Sequence, residues 1–521
     1  MLKNKMVAVI DLGSNTVRLV VYRIDKNYTY SEKQNIKIPL RLYQYLDKDK
    51  DLSQQGIAQL IATFKVFSKI IAHYQVEKVI PVATAVMRQA KNQVEIFEEV
   101  FKQTGISLRL LSDKEEAFYG QLAISHFTQF DEAYTVDMGG GSTEVTYYRD
   151  NAIVHSHSFP FGVVTLKTLF FDNPETPVKK AIDKCQAFIK TQFAAHDWIK
   201  PSHLPIIAIG GSARNMAAVY QRMIDYPISG IHGYAMTEAQ ITETRDFLLG
   251  KTLSELKNLD GLSKDRADII IPAVAMFLTL YRQVKATHFY LCNQGLREAL
   301  LIEAINQEKP ESYPATQVGT HAIARFIATN KIDQFVAEQR LAQLTKFSKL
   351  LVSHQLIEKN KTFMTYLKYG ALLYLVGSFI ENEDSSMHTF YLVANCNIDG
   401  FDHKERITIA LLASYKNKSL FNQYLKPFAK WFSKDEILLI QKAGNLIKFC
   451  EALNLTHINQ IVDLKLVDKQ QRYHLQIAWA IDPIAEHFRA ERQKKCLEHI
   501  VGKKVVIDFY EKGQKDKEKE K

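Results

Sequence analysis

Hydrophobic positions in the first third of the chain recur at every second residue or at every third to fourth residue, the spacings of strands and amphipathic helices. The apolar runs predict strands at Val7–Ile10, Val17–Ile24, Leu40–Leu46, Lys78–Ala83 and Ser107–Leu111. The longer periodic segments predict helices at Ser53–Tyr74 and about Val94–Thr104. Strands that alternate with helices are typical of an α/β fold.

A further helix is predicted directly after the fifth strand. It begins at Ser112-Asp113-Lys114-Glu115, which has the spacing of a capping box. In a capping box, the serine hydroxyl and the glutamate carboxylate each accept a hydrogen bond from the other residue's backbone N–H. Glu116 is therefore predicted to lie on the first turn of this helix.

The second third of the chain repeats the beginning of the first. Segments Ala8–Tyr22 and Tyr134–Tyr148 both run from an apolar strand through an aspartate, a glycine and a small polar turn into a second strand. In this alignment Asp11 matches Asp137, and Gly13 matches Gly139. A duplication of this kind predicts two similar lobes with a ligand-binding cleft between them.

The pattern becomes mainly helical after about Gln307. Helices are predicted at Gln317–Asn330, Val336–Gln355, Met364–Phe379, His403–Ser414 and Asp435–Leu453, with strands at Gln460–Leu466 and near Lys503–Phe509. The polar stretch Asn306–Pro314, which contains two prolines, is predicted to be the linker. We expect two lobes at 1–130 and 131–307, a helical domain at 308–505 and a charged, disordered tail at 506–521.

Composition narrows the class of protein. The chain has 521 residues, more than one hydrophobic core usually organises. It has no apolar run of eighteen residues and no signal-type start, and its five cysteines lack Cys-x-x-Cys spacing, which predicts a cytoplasmic protein without membrane insertion. The net charge of +10 favours a polyanionic ligand. Basic residues without interleaved aromatics argue against a nucleic-acid partner.

The segment Asp137–Ser142 joins two predicted strands through three consecutive glycines. Without Cβ atoms, their backbone N–H groups can converge on an anion such as a phosphate. The matching turn Asp11–Thr16 would face the same cleft, so the two turns could hold successive phosphates. Carboxylates at Asp11, Asp137 and Glu144 suit Mg²⁺, which prefers oxygen ligands. An aspartate at a strand end also commonly caps a turn, and that interpretation stays open for Asp11.

The nucleophile predicted for phosphate chemistry is water. No cysteine has an arginine six positions later, which argues against a thiolate phosphatase. Glu116 is the candidate general base, because a partly dry cleft would raise its pKa towards neutrality. Taken alone, a glutamate in this position is more typical of a surface residue that stabilises a helix N-terminus.

Several segments together resemble the exopolyphosphatase and guanosine pentaphosphate phosphohydrolase family (Ppx/GppA), over roughly residues 6–305 and more weakly beyond. The segments occur in the family's order: Asp11–Leu19, Thr84–Asn92, Leu111–Gly120, Asp137–Glu144, Phe159–Leu166, Ile209–Ala217, Arg266–Ala273 and Asn293–Leu301. The resemblance implies two RNase H-like lobes of the actin-like ATPase superfold. It also implies a following all-α domain related to HD phosphohydrolases.

The resemblance also implies roles for individual residues. Glu116 matches the family's general base, and Asp137 with Glu144 matches its magnesium and water ligands. The positions that would contact phosphates are Ser14, Asn15, Arg18, Arg88, Gly139, Gly140, Gly141, Ser142 and Arg297. Arginine suits this task because its planar guanidinium binds phosphate oxygens bidentately.

The C-terminal domain departs from the family pattern. Tyr374 and Leu375 stand where long family members carry a His-Asp or His-Glu pair, and His388 remains. A metal site of the HD type is not expected without that pair. We therefore expect a scaffold for long-chain binding or for a homodimer.

Three functions stay open at this point: hydrolysis of inorganic polyphosphate, hydrolysis of guanosine pentaphosphate, and silent binding of guanosine tetraphosphate as a regulator. The presence of Glu116, Asp137 and Glu144 argues against the silent regulator. A sugar kinase or actin-like ATPase shares the superfold, and fold alone does not exclude either. The expected function is exopolyphosphatase with Mg²⁺ as cofactor.

Overall fold

The computed structural model describes residues 4–172, 178–330, 332–357, 360–458 and 461–512. The chain divides into two compact units, Met1–Ala322 and Ile323–Lys521. The first unit contains two lobes, and the second is mainly helical. The break between the units lies at 322/323, and the boundary predicted from the sequence lies at 307/308.

Lobe I is an α/β sandwich that contains the first five strands. Its elements are β1 (Lys5–Leu12), β2 (Val17–Ile24), β3 (Tyr30–Ile38), α1 (Gln54–His73), β4 (Lys78–Ala83), α2 (Ala85–Gln89), α3 (Gln93–Thr104), β5 (Arg109–Leu110) and α4 (Asp113–Phe127). The sheet order is β3-β2-β1-β4-β5. Strands β1 to β3 pair antiparallel, and β4 and β5 continue the sheet in parallel.

The predicted strand at Leu40–Leu46 is wrong. Residues Leu42–Tyr45 form a short 3-10 helix, and the third strand lies earlier, at β3. Since β3 is an edge strand with mostly polar, partly exposed side chains, it lacks the apolar run that sequence analysis relies on.

Lobe II repeats this arrangement with added helices. Its elements are β6 (Glu132–Met138), β7 (Thr143–Arg149), β8 (Ala152–Phe159), α5 (Val163–Phe170), α6 (Val178–Ala194), β9 (Ile206–Ile209), α7 (Gly211–Met223), β10 (Ala235–Met236), α8 (Glu238–Leu249), α9 (Leu253–Lys257), α10 (Ile270–Val284), β11 (Phe289–Leu291) and α11 (Leu296–Glu308). The sheet order is β10-β11-β9-β6-β7-β8. Strands β6, β7 and β8 form the antiparallel meander, and β9 joins β6 in parallel, as β4 joins β1. The predicted duplication is therefore present.

The period of two along each strand decides which side chains enter the space between the lobes. In β1, Val7 and Val9 face a core shared with α4, α11 and β9, whereas Ala8 and Ile10 face the opposite core, with α1, α2 and α3. In β6, Val136 and Met138 face the core that lies within lobe II. Because neighbouring residues alternate, the aspartates of β1 and β6 point to the inner side of each sheet.

The predicted linker at Asn306–Pro314 is part of the folded first unit. Tyr313 is buried in the shared core and packs against Tyr30, with ring centroids 5.7 Å apart. The Asn306 side chain accepts from the Tyr313 N–H at 3.0 Å and donates to its carbonyl at 3.1 Å. One buried tyrosine therefore anchors this otherwise polar stretch to the first unit.

The second unit is built mainly from helices. They are α12 (Val318–Thr329), which crosses the unit boundary, α13 (Gln334–Ser353), α14 (Lys361–Leu372), α15 (Ser385–Asn395), α16 (His403–Ala413), α17 (Lys418–Leu425), α18 (Lys434–Ala452) and α19 (Ile484–Val501). A three-stranded sheet of order β12-β13-β14 accompanies them, formed by β12 (Ile461–Lys469), β13 (Arg472–Trp479) and β14 (Lys504–Glu511).

The two strands predicted near the end of the chain are β12 and β14, although Gln460 itself lies outside the described residues. Residues 506–511, assigned above to a disordered tail, lie in β14 and pair with β13. Residues 513–521 of that predicted tail lie outside the described residues. The fold class predicted from the sequence, α/β lobes followed by a helical domain, is confirmed.

Tyr374 and Leu375 lie just after α14. The Tyr374 hydroxyl is buried and donates to the Tyr415 carbonyl at 3.0 Å. Leu375 has a φ of 51°, a left-handed conformation that is unusual for leucine.

In the described residues, no helix is long and apolar enough to cross a membrane.

Candidate active site

The two glycine-containing turns of the repeat adopt the same hydrogen bond. The Gly13 N–H donates to the Thr16 carbonyl at 3.0 Å, and the Gly139 N–H donates to the Ser142 carbonyl at 3.0 Å. Both turns therefore close a hairpin in the same way, one in each lobe.

The two turns face each other across a short gap. A Cβ added to Gly140 would lie 3.5 Å from the Ser14 Cβ and 3.8 Å from that of Asn15. A Cβ on Gly162 would come within 2.5 Å of the Gly139 carbonyl oxygen, so the chain that follows β8 passes directly over the turn. The expectation that both turns border one cleft is met in the structure.

Strand register determines which charged side chains share a face. In the β6–β7 hairpin, Asp137 lies directly opposite Glu144. In the β1–β2 hairpin, Asp11 lies directly opposite Arg18. Opposed residues of an antiparallel pair point to the same face of the sheet, so the second lobe holds two adjacent acids where the first holds an acid and a base.

A cleft of about 330 Å³ lies between the lobes. The predicted site residues that line it are Asp11, Ser14, Asn15, Arg18, Glu116, Asp137, Gly139, Gly140, Ser142, Glu144 and Arg297. Two predicted residues, Arg88 and Gly141, border the site without lining the cleft. A Cβ on Gly141 would lie 3.8 Å from the Ser14 hydroxyl oxygen of the facing turn.

Glu116 reaches the cleft from the first turn of α4. The predicted capping box is present, with Glu115 accepting from the Ser112 N–H at 2.8 Å. The Glu116 side chain is 20% exposed, and its carboxylate accepts from Arg88 Nη1 at 2.7 Å. Burial raises the pKa of Glu116 to about 7, although Arg88 acts in the opposite direction.

The other three acids of the cleft are also perturbed. Burial raises the pKa of Glu144, and the negative charges of Glu116 and Asp137 raise it further. Burial likewise raises the pKa of Asp137 and of Asp11. Ser158 donates to Glu144 at 2.9 Å and fixes one of its oxygens. Four acids that repel one another in a partly dry cleft favour the binding of either protons or a cation.

A Mg²⁺ ion fits this donor set only if substrate and water supply the remaining ligands. No group of three or more His, Cys, Asp or Glu side chains in the described part of the chain is arranged to hold a metal ion. Mg²⁺ is commonly held by one or two carboxylates together with waters and phosphate oxygens. The opposed pair Asp137 and Glu144, with their mutual repulsion, is suited to that role.

Arg297 of α11 brings positive charge into the cleft. Arg297 Nε lies 3.9 Å from Asp11 Oδ2, and its side chain is 11% exposed. Its Nη1 atom is buried without a hydrogen-bond partner among the described residues. A buried guanidinium N–H without a partner is costly, and a phosphate oxygen would satisfy it.

Two cleft arginines were not assigned from the sequence. Arg214 of α7 donates to the Asn293 carbonyl at 3.2 Å, and Arg266 donates to the Ser212 hydroxyl at 3.0 Å. Both line the cleft. They lie in segments that matched the family, Ile209–Ala217 and Arg266–Ala273, so their positions in those segments were the available signal.

Glycine is required where α7 begins at the cleft. Gly210 has a φ of 91°, and a Cβ there would lie 2.6 Å from Asp137 Oδ1.

The two lobes are also joined at the rim of the cleft, because Lys37 of β3 forms an ion pair with Asp265 at 2.8 Å.

The cleft between the duplicated α/β lobes combines paired glycine turns, desolvated acids and several arginines. This combination is typical of an enzyme that handles phosphate groups. The family model described as the Ppx/GppA phosphatase family matches residues 20–308, and the model of that family's domain III matches residues 319–480. The chain belongs to the Ppx/GppA phosphatase family, as the resemblance predicted.

Solved structures agree with this assignment. The crystal structure of the Aquifex aeolicus Ppx/GppA family member is 26% identical, with a TM-score of 0.52, and the match covers 59% of this chain and 99% of that one. A second structure of an Aquifex aeolicus PPX-GPPA enzyme is 27% identical, with a TM-score of 0.50, covering 58% and 100%. An exopolyphosphatase from Cytophaga hutchinsonii shares the fold at 19% identity, with a TM-score of 0.53, covering 58% and 98%.

Proposed function

We propose that this chain is an exopolyphosphatase, which hydrolyses the terminal phosphate of inorganic polyphosphate. The observation that carries the proposal is the combination of two facing glycine turns with a near-neutral carboxylate, Glu116, in one cleft. The turns provide backbone donors for successive phosphates, and Glu116 provides a base. Phosphoryl transfer needs mainly positioning and charge neutralisation, so these parts form a sufficient set.

The lining of the cleft favours polyphosphate over a guanine nucleotide. Among the described residues that line it there is no Phe, Tyr, Trp or His side chain. Proteins that recognise an exposed base commonly stack it on an aromatic ring, and this cleft offers none. Glycines, hydroxyl groups and arginines instead suit a ligand made of phosphate units.

In the proposed reaction, the phosphate chain lies along the two turns with its terminal unit near Asp137. Glu116 accepts a proton from a water molecule while the water oxygen attacks the terminal phosphorus in line. The bond from phosphorus to the bridging oxygen breaks, and the shortened polyphosphate leaves with the bonding electrons. Because the pKa of Glu116 is about 7, a large fraction is ionised and able to accept a proton near neutral pH.

Mg²⁺ is the proposed cofactor, and the residues that would hold it are Asp137, Glu144 and Asp11. When bound, the ion would neutralise phosphate charge and lower the pKa of a bound water. The arginines of α7 and α11 would hold the equatorial oxygens by bidentate hydrogen bonds.

The test is phosphate release from long polyphosphate compared with release from guanosine pentaphosphate at equal Mg²⁺. We expect kcat/KM for polyphosphate to be at least tenfold higher, a difference of about 1.4 kcal/mol in transition-state free energy. A higher value for guanosine pentaphosphate would make the chain an alarmone hydrolase. Tight binding of guanosine tetraphosphate without any turnover would make it a silent regulator.

The proposal includes a cytoplasmic homodimer. Ile484 and Phe488 lie one turn apart on α19 and are 73% and 65% exposed. Neighbouring apolar side chains of this size on a surface often mark a protein contact. Light scattering at micromolar concentration tests this, and a monomer mass would refute it.

A further inference from the structure

Arg88 makes three contacts at the start of α4. Its Nη1 donates to Glu116 Oε2 at 2.7 Å and to the Leu111 carbonyl at 2.9 Å. Its Nη2 lies 2.6 Å from Asp113 Oδ1. One guanidinium therefore joins the candidate base to a second carboxylate three residues before it on the same helix.

The contact between Arg88 and Glu116 competes with phosphate binding, the role that the family resemblance implies for Arg88. Nη1 already donates to Glu116 and to the Leu111 carbonyl. Donation from Nη1 to a phosphate oxygen therefore requires Arg88 to release Glu116. The side chain of Arg88 is only 17% exposed, so an unpaired guanidinium at this place would be costly.

Asp113 offers Arg88 a second carboxylate, in a more exposed environment than that of Glu116. It is the first residue of α4, and its side chain is 58% exposed, so it keeps its contact with water. When Nη1 leaves Glu116, Nη2 can remain on Asp113 and the guanidinium stays paired.

We propose that Asp113 is a positioning residue, which retains Arg88 while its Nη1 moves from Glu116 to a phosphate oxygen of the substrate. This inference depends on the proposed function, since it assigns Glu116 as the base. It names a residue that lies outside the cleft lining and would act only through Arg88.

A simpler role for Asp113 is stabilisation of the helix. An acid in the first turn interacts favourably with the helix dipole, and Glu115 occupies the same turn without contacting Arg88. Glu115 pairs instead with Arg109 and completes the capping box. It is therefore the matched control, since its substitution alters charge in the same turn and leaves the Arg88 contacts in place.

The experiment is a double-mutant cycle on the full chain with polyphosphate as substrate, using Asp113→Asn, Arg88→Ala and the double variant. We expect Asp113→Asn to lower kcat about tenfold with KM changed less than about threefold. In the Arg88→Ala background the same substitution should change kcat less than about twofold. Asp113→Glu should restore at least half of the lost kcat, and Glu115→Gln should leave kcat within about twofold of wild type.

A helix-stability role would give a different pattern. Asp113→Asn and Glu115→Gln would then lower the unfolding midpoint and activity similarly, and the effect of Asp113→Asn would persist without Arg88. That result, or an Asp113→Asn variant with wild-type kcat, would overturn the inference. If Glu116→Gln loses activity while Asp113→Asn keeps wild-type kcat, this inference alone is refuted. If Glu116→Gln stays active, the proposed function is refuted.

Discussion

Asp137 and Glu144 are directly opposed residues of the β6–β7 hairpin, whereas the equivalent positions of β1–β2 hold Asp11 and Arg18. The two hairpins have the same register around turns with the same hydrogen bond. One lobe therefore presents two acids at opposed positions, and the other presents an acid and a base. We therefore propose the second lobe as the site of the cation, because like charges directly opposite each other are destabilising unless a cation or proton lies between them.

The first prediction concerns magnesium. Excess chelator should abolish phosphate release, and Asp137→Asn should raise the Mg²⁺ concentration for half-maximal rate at least about tenfold. The control is Asp131→Asn, which removes an exposed carboxylate just before β6. Phosphate release measured across a Mg²⁺ titration checks this, and undiminished hydrolysis in excess chelator would contradict the assignment.

The second prediction concerns the base. Glu116→Gln should lower kcat by about 10²- to 10⁴-fold while substrate affinity is retained, because the substitution deletes the proton acceptor and keeps its size. Steady-state kinetics together with equilibrium binding of polyphosphate measure both quantities. A variant that keeps more than about half of wild-type turnover would be incompatible with Glu116 as the base.

The third prediction is a pH-dependent difference in stability. The pKa of Glu116 rises from its ordinary 4.5 to about 7 in the folded protein, so the folded state binds more protons than the unfolded state between these values. The contribution of Glu116 to stability is therefore greatest below pH 4.5 and is lost as the pH rises through 7.

Glu116→Gln lacks this titration. Relative to wild type, its free energy of unfolding should increase between pH 4.5 and 7.5, by at most about 3 kcal/mol. Urea unfolding of the metal-free proteins at several pH values measures this. A difference that stays constant across that range would show that the pKa of Glu116 is not raised in the folded state.

The fourth prediction compares two glycines with positive φ. Gly210 has a φ of 91° and would place a Cβ 2.6 Å from Asp137 Oδ1, whereas Gly105 has a φ of 70° and open space around its Cβ position. Gly105→Ala should cost about 1 kcal/mol through backbone strain and leave kcat unchanged. Gly210→Ala should also displace Asp137 and lower kcat at least about tenfold. Equal kcat in the two variants would show that Asp137 keeps its position even when residue 210 carries a Cβ.

The fifth prediction concerns the helical unit. A chain that ends at residue 322 should fold and still hydrolyse short polyphosphate, because the cleft residues lie within the first unit. A chain that ends at 307 lacks Tyr313 and should lose stability, as should Tyr313→Ala in the full chain, by about 3–5 kcal/mol. Thermal unfolding measured before kinetics separates these outcomes. Equal stability of the two shortened chains would show that Tyr313 is not an anchor.

The chain that ends at 322 should also lose affinity for long polyphosphate. Segment 414–434 of the second unit contains five lysines, all exposed, and no acidic residue. Attraction to such a surface is screened by salt, so the difference in KM between the two chain lengths should shrink as salt rises. Unchanged KM for long chains at low salt would refute a role for this unit in substrate binding.

Local sequence signals determined most of the elements around the site. The boundaries of β2 and β4 agree with the predicted strands, and the Ser112–Glu115 capping box fixes where α4 begins. The repeat of aspartate, glycine and small polar residues predicted the two hairpins. These features depend on neighbouring residues, so the sequence contains the information needed to predict them.

Tertiary structure decided what depends on distant residues. Strand β3 forms because it pairs with β2 at a sheet edge, and Tyr313 is buried because α11 and lobe I form a pocket for it. Arg214 and Arg266 become cleft residues because lobe II folds their segments against the β6 hairpin. The pKa of Glu116 is raised by burial, which no spacing along the chain encodes, because it arises only when both lobes exclude water from the same cleft.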